Sequence, residues 1–467
     1  MSTTTSRPPV PRDIQRARWA VSLLFLTNGA IFANLLPRYP AIKDGLGLSN
    51  AEFGVAVAAF PLGAIVAGLA AGLLIRRFRS SRVAVVGTII TGLGVLTAGV
   101  APSWALLAAG LFLAGAMDAI TDVAQNSHGL RVQRRYGRSI LNSFHAAWSV
   151  GAVIGGLMGG AAAGLGIPTP VHLSVSAALF CVVALLSYRS MLAGPEPTDE
   201  SEAADAEASD TSAADGRAAG TGAADGGAAD GRAAGTSATS AEATSTAAAE
   251  EARVESNPSV ASVAAVAGRS ALRFGTVAVL AALVLVSMGA AIVEDAGNTW
   301  AAVYLSGSLG ASITIASLGF VSLAGMQLIG RLVGDVMVDR LGQRTVARIG
   351  GVLVAVGTGL ALAFPSIPGT IIGFGAAGFG VATLIPGAMH AADQLPGFRR
   401  GTGLTLLSWL MRLGFLFSPP LVGLIADATS LRWGLLVMPA AGVIVLLLAG
   451  VLARRVPHGA AVHDPRA

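Results

Sequence analysis

The chain has 467 residues, of which 53% are hydrophobic and only 12% charged, with a mean hydropathy of +0.68. Soluble globular proteins carry about 25% charged residues. These charges are too few to cover a water-facing surface, which excludes an ordinary soluble enzyme and leaves a polytopic membrane protein. The 31 Lys and Arg exceed the 26 Asp and Glu by five. They lie in short runs between apolar segments, without the interleaved aromatics that bind single strands, so nucleic acid is not an expected partner.

A membrane helix needs about 20 mainly apolar residues. Twelve windows qualify: 17–37, 51–75, 83–101, 103–127, 139–164, 168–194, 273–305, 311–338, 345–364, 367–394, 401–426 and 431–453. The first is too long, and too poor in a following small-residue site, to be a cleaved signal peptide. The 60 glycines sit inside the apolar runs, where membrane helices use small residues to approach closely. The single cysteine, Cys181, lies in such a run and reads as a small buried hydrophobe.

Between the sixth and seventh windows the composition changes. Residues 195–270 are almost wholly Ala, Gly, Ser, Thr, Asp and Glu, and the heptapeptide Asp215–Thr221 recurs unchanged at Asp230–Thr236. Nothing there can form a core, and a disordered cytoplasmic linker is expected. It divides the chain into an N-terminal six-helix bundle, 17–194, and a C-terminal one, 273–453, with tails 1–16 and 454–467. Two six-helix halves around a long central loop are the layout of bundles that rock about a shared site.

Arginine placement sets the orientation. Runs occur at Arg7, Arg12, Arg16 and Arg18; at Arg76, Arg77, Arg79 and Arg82; and at Arg131, Arg134, Arg135 and Arg138. The second half adds Arg340, Arg344 and Arg348, then Arg399 and Arg400, then Arg454 and Arg455. All fall on one side of a twelve-helix layout, while the opposite loops carry only Arg38, Lys43 and Arg432. The positive-inside rule then makes both termini and the linker cytoplasmic. Lysine occurs once, at Lys43, with arginine everywhere else, which reads as a GC-rich bacterial genome and so a bacterial inner membrane.

Between the eighth and ninth windows stand Gly330-Arg331-Leu332-Val333-Gly334-Asp335 and Asp339-Arg340-Leu341-Gly342-Gln343-Arg344. These residues resemble the signature loop of the major facilitator superfamily, which implies an all-α fold of twelve transmembrane helices in two bundles. In that reading Arg331, Asp335, Asp339 and Arg340 form a gate, in which carboxylate–arginine contacts lock the bundles in one state. Offset by 263 positions, Arg77 falls on Arg340 in the first-half counterpart. There the expected Asp is Arg76 and the expected Gly is Arg79, so the first-half charge lock is not complete. Leu36-Pro37-Arg38-Tyr39-Pro40-Ala41-Ile42-Lys43-Asp44 and Glu294-x3-Asn298-x-Trp300, with Pro386 and Pro419-Pro420, resemble the bacterial sugar-permease-like (fucose permease-like) branch.

A charge at the bilayer centre costs about 2.5–3.5 kcal/mol on insertion scales, so intramembrane ionisable groups are functional candidates. In the fourth window Asp118, Asp122 and Asn126 fall at i, i+4 and i+8, on one face. The fifth window opens with Asn142, His145 and Trp148, which brings His145 toward Asp122. The pair reads either as a protonatable site or as a static network between helices. In the seventh window Glu294 and Asn298 share a face, with Asp295 turned about 100° away. Glu294 reads as a proton site beside a donor, Asn298, and a stacking surface, Trp300, suited to sugars or polyols. The alternative is a charge at the mouth. Arg412 lies about 16 Å into the eleventh window and should pair with an anionic solute or with Asp118 or Asp122. Asn28, Asn34, Gln327 and His390 read as cavity ligands or as interhelical hydrogen-bonding residues, and His128 as a solvated helix-end group.

No Walker motif, metal-ligand spacing or nucleophile elbow occurs in the sequence, so no cofactor and no enzymatic reaction is expected. The expected function is alternating-access transport of a small polar solute, as symport with protons, by a monomer in the lipid bilayer. Asp122, Glu294, Asp118 and His145 are the proton-coupling candidates. Asn34, Asn298, Trp300, Gln327 and Arg412 are the solute-binding candidates. Proton-coupled efflux of amphipathic compounds and a non-transporting membrane sensor are the alternatives.

Overall fold

The computed structural model describes residues 10–194, 260–395 and 402–452, with side chains from residue 275 onward in the second segment. The sequence 195–259, most of the expected linker, therefore lies outside the described residues, as do Arg399, Arg400, Arg454 and Arg455. The described parts of 1–194 and 273–467 pack as one compact unit. Every regular element among the described residues is helical.

Among the described residues twelve helices are long and apolar enough to cross a membrane: Arg12–Gly45, Asn50–Gly68, Ser80–Gly99, Trp104–Tyr136, Leu141–Gly164, Thr169–Tyr188, Gly275–Ser308, Ile313–Leu341, Gln343–Ala363, Ile367–Asp393, Thr402–Ala428 and Leu431–Val451. We refer to them as the first to twelfth spans. They match the twelve windows. Several ends move: the first span runs on to Gly45, the second stops at Gly68, the fourth runs on to Tyr136, and the helix leading into the seventh begins at Val260, inside the expected linker. The first and last described residues, 10 and 452, lie on the same face, here called basal; the other is the far face.

Prolines account for the breaks. In the first span the helix Arg12–Ala33 gives way to a 3-10 turn, Leu36–Arg38, and resumes at Tyr39–Gly45. Pro37 and Pro40 lack the N–H that a continuous helix would use there. The tenth span parts between Val381 and Leu384, where Pro386 cannot donate to the carbonyl four residues earlier. The second span is capped by a reciprocal pair: Glu52 N–H donates to Ser49 Oγ at 3.1 Å and Ser49 N–H to Glu52 Oε2 at 2.9 Å.

Within the first half, the second and third spans pack on the fourth and the first on the fifth. In the other half the eighth and ninth pack on the tenth, and the ninth on the twelfth. The halves meet along two pairs, the second span with the eleventh and the fifth with the eighth. A shift of six spans exchanges these pairs, as two equivalent bundles require.

At the first junction a Cβ on Gly54 would stand 2.3 Å from the Pro419 carbonyl oxygen, and one on Gly423 2.3 Å from that of Asn50. Only glycine permits backbones this close. Asp427 completes the junction, accepting from Asn50 N–H (2.9 Å), Asn50 Nδ2 (2.9 Å) and Ala51 N–H (2.8 Å) at the start of the second span. Its charge also faces the positive end of that helix.

The basal loops carry a second repeat feature. Gly342 has φ +81° at the turn between the eighth and ninth spans, and Arg79 has φ +74° at the equivalent turn between the second and third. Both have extended ψ, 149° and 145°, a region populated almost only by glycine. The family-like glycine of the first half is thus replaced without a change of backbone.

His128 corrects an expectation: it is not solvated but fully buried. Its Nδ1 lies 2.9 Å from Ser80 Oγ, and its Nε2 accepts from Leu192 N–H at 3.2 Å. The fourth span is tied in this way to the third span and to the segment after the sixth. Cys181 is a half-buried free thiol.

Candidate functional site

A cavity of about 290 Å³ lies between the halves. The first and second spans give it an apolar wall that includes Phe32, Leu36, Val57, Phe60 and Pro61. The Phe32 and Phe60 rings meet at 4.3 Å between centroids. The seventh, eighth and eleventh spans give a polar wall: Glu294, Asp295, Asn298, Thr299, Gln327 and Arg412. Asn28, Asp118 and Ser149 add polar groups from the first half, and Trp148, Phe320 and Phe415 add aromatic surface.

The cavity is closed on the far face. Tyr39 stands edge-on to Phe53 (5.2 Å), and Phe53 edge-on to Trp300 across the halves (5.6 Å). All three are fully buried. On the basal side Asp122 and His145 are exposed. Asp122 lies within electrostatic reach of His145 and of Arg412 in the other half. Their accessibility therefore comes from the cleft between the halves rather than from a lipid-facing surface. The structure is closed at the far face and open at the basal face.

The predicted site residues divide accordingly. Asp118, Glu294, Asn298, Gln327 and Arg412 line one cavity. Asp118 faces Asn28, whose Oδ1 accepts from the Trp148 indole at 3.2 Å. Glu294 accepts from Gln327 Nε2 at 2.9 Å, so the eighth span orients its carboxylate. Asp295 also reaches the cavity, interacts with Ser418, and keeps Oδ2 buried without a partner. Asp122 lies further toward the basal opening, its Oδ1 accepting from Asn126 Nδ2 at 3.0 Å.

Two predicted ligands lie elsewhere. Trp300 is 0% exposed and serves the far-face closure instead of the cavity wall. Its neighbourhood with Glu294 and Asn298 in sequence did not reveal this, because six residues of helix separate it by more than one turn from Glu294. Asn34 is also 0% exposed. It donates to Ala30 O (2.8 Å) and accepts from Ser176 Oγ (3.3 Å), and its Oδ1 lies 2.9 Å from His172 Nε2. Arg38 Nε donates to His172 Nδ1 at 3.3 Å. A guanidinium only donates, so Nδ1 is the acceptor and Nε2 donates to Asn34. This buried network fastens the first span to the sixth.

The expected gate also differs. Arg331 does not pair with Asp335. Its Nη1 donates to Ser149 Oγ across the halves at 3.1 Å, and its guanidinium stands 6.0 Å from the Trp148 ring centroid. Asp335, Asp339 and Arg340 are exposed and make no hydrogen bond or ion pair among the described residues. An exposed i, i+4 pair is worth only about 0.2–0.5 kcal/mol, too little to hold Arg331 away from the cleft.

The aromatic wall escaped the sequence reading, although its signal was present. Phe32 follows Asn28 by four residues and Phe415 follows Arg412 by three, which places each aromatic on the polar residue's own helix face.

A sequence profile described as Major Facilitator Superfamily matches residues 21–293 and 279–467. A relative from Sinorhizobium fredii, named uncharacterized transporter y4wD, is 28% identical over 436 residues, covering 92% of this chain and 96% of that protein. The enterobactin exporter EntS of Citrobacter koseri is 30% identical over 195 residues, covering 38% of this chain and 46% of that protein. Among solved structures, a D-xylose–proton symporter superposes with a TM-score of 0.64 at 16% identity, covering 93% of this chain and 97% of that one. At that identity the likeness concerns the fold. With the profile matched across both six-span halves, the chain belongs to the major facilitator superfamily of multi-pass membrane transporters.

Proposed function

We propose that this transporter moves a small polar solute, of sugar or polyol size, across the bacterial cytoplasmic membrane by alternating access coupled to protons. The observation that carries the reading is one cavity between two bundles, closed at one face and open at the other, lined by carboxylates from both. Asp118 comes from the first half and Glu294 and Asp295 from the second. At about 290 Å³ the cavity falls at the small end of the roughly 300–1,000 Å³ range of ligand pockets. The arginine runs put the basal face in the cytoplasm, so this state faces inward. One chain supplies both walls, and a monomer is sufficient.

In this mechanism Asp122 and His145, accessible from the basal side, exchange protons with the cytoplasm. Glu294 holds the solute. A proton on Glu294 turns one acceptor oxygen into a donor and changes which solute atoms it can hold, so proton and solute release are linked. Glu294→Gln should abolish gradient-driven accumulation in proteoliposomes while leaving solute exchange largely intact. Unchanged accumulation in that variant refutes the coupling role.

Efflux of amphipathic compounds is a second reading, favoured by the aromatic wall of Phe32 and Phe60. The name of the exporter matched over part of the chain points the same way. Reconstitution with an imposed pH gradient of either sign separates the two by the direction of net movement.

A further inference from the structure

The charged groups lining the cavity are Asp118, Glu294, Asp295 and Arg412. Glu294 has the Gln327 amide. Asp118 lies beside Asn28, which accepts from Trp148. Asp295 has Ser418. Arg412 lines the same cavity, half-buried, with no hydrogen bond or ion pair among the described residues. Asp118 and Asp122 act on it electrostatically from the opposite half without contacting it.

A guanidinium offers five N–H donors in a planar fork and accepts nothing. In the open cleft, water serves those donors. When the basal side closes and the cavity loses its water, an unpaired cation becomes costly. None of these carboxylates contacts Arg412, so the component its donors lack is an acceptor, and one with the planar geometry of the fork. Phe415, one turn away on the same span, gives apolar surface beside it.

We propose that the transported solute carries a carboxylate, and that Arg412 is its binding residue. Glu294, Asn298 and Gln327 then take its hydroxyl groups, while Phe32 and Phe60 face its apolar side. The proposal rests on the transport reading above and narrows its solute class from polar solutes to polar acids. It also gives the protons a purpose. A carboxylate accompanied by one proton crosses without net charge, so an inside-negative potential does not oppose its uptake.

The test uses the purified full-length chain and matched probes: D-glucuronate against D-glucose, and 4-hydroxybenzoate against 4-hydroxybenzyl alcohol. Binding is read by thermal shift and calorimetry, and movement by counterflow in proteoliposomes. The acid of a pair should bind the wild type at least about 30-fold more tightly than its uncharged partner, the loss expected when one side of a desolvated charge pair is missing. Arg412→Gln should erase that preference by weakening the acid alone. Arg412→Lys, which keeps the charge but not the fork, should restore part of it.

The proposal is overturned if the uncharged partner binds as tightly as the acid, or if Arg412→Gln keeps the preference. It is equally overturned if neither acid shifts the melting curve at about 10 mM, where even a weak ligand stabilises by mass action. An acid that binds through Arg412 but shows no counterflow counts instead against the transport reading.

Discussion

If the chain works by the alternating access proposed above, replacing Asp427 with alanine removes a contact that only the far-closed state can make. Its carboxylate accepts three hydrogen bonds, at 2.9, 2.9 and 2.8 Å, from Asn50 and Ala51 at the start of the second span. Opening the far face separates the second span from the eleventh and must break all three. Such bonds contribute about 0.5–1.5 kcal/mol each when well shielded. Asp427 is exposed, and solvent screening reduces the value of exposed charges severalfold. The set is therefore worth about 1–2 kcal/mol in all, with the interaction of the charge with the helix end included. At about 1.4 kcal/mol per factor of ten, the ratio of far-open to far-closed molecules should rise roughly 5- to 30-fold in Asp427→Ala.

Spin labels on the far face can read this ratio. Leu165 and Phe364, 78% and 74% exposed in loops of opposite halves, are suitable positions once Cys181 is replaced by serine. The long-distance population should grow in Asp427→Ala. It should stay at the wild-type level in Asp44→Ala, which removes an exposed far-face charge whose side chain makes no hydrogen bond or ion pair among the described residues. An unchanged distance distribution in Asp427→Ala, or an equal change in the control, refutes the assignment of Asp427 as a state-selective contact.

Other outcomes follow from the same geometry. Gly54→Val adds a Cβ that would stand 2.3 Å from the Pro419 carbonyl oxygen, so it should prevent far-face closure and hold the labelled pair at the long distance, with transport lost. Arg79→Gly relieves a side chain at φ +74° and should stabilise the protein by about 1 kcal/mol, measured by thermal unfolding in detergent, with no change in solute affinity. Together with loss of accumulation in Glu294→Gln and loss of acid preference in Arg412→Gln, these variants separate coupling, binding, closure and fold.

The parts of the site visible in the sequence were those set by helix periodicity and by rarity of charge. Asp118, Glu294, Asn298, Gln327 and Arg412 stood out because charged and amide groups are uncommon in apolar spans, and all five reach one cavity. Where two residues compete for one helix face, or where the partner lies on a distant span, the pattern had no information. Trp300 reads as a stacking surface beside Asn298, yet it packs on Phe53 of the other half. Asn34 reads as a cavity ligand, yet His172, 138 residues away, takes its oxygen. Arg331 reads as a partner for Asp335 one turn on, yet it reaches Ser149 across the cleft.

The sequence alone determined that this chain crosses a membrane twelve times in two halves, because a span is a local property: enough apolar residues in a row, interrupted by basic loops. It also determined which few charges lie in the apolar spans. The tertiary structure decided which of those charges line one cavity, which face of the molecule is closed, and that Arg412 stands in that cavity without a hydrogen bond or ion pair among the described residues. Those depend on how the second span sits against the eleventh and the fifth against the eighth, contacts between segments hundreds of residues apart that no local pattern encodes.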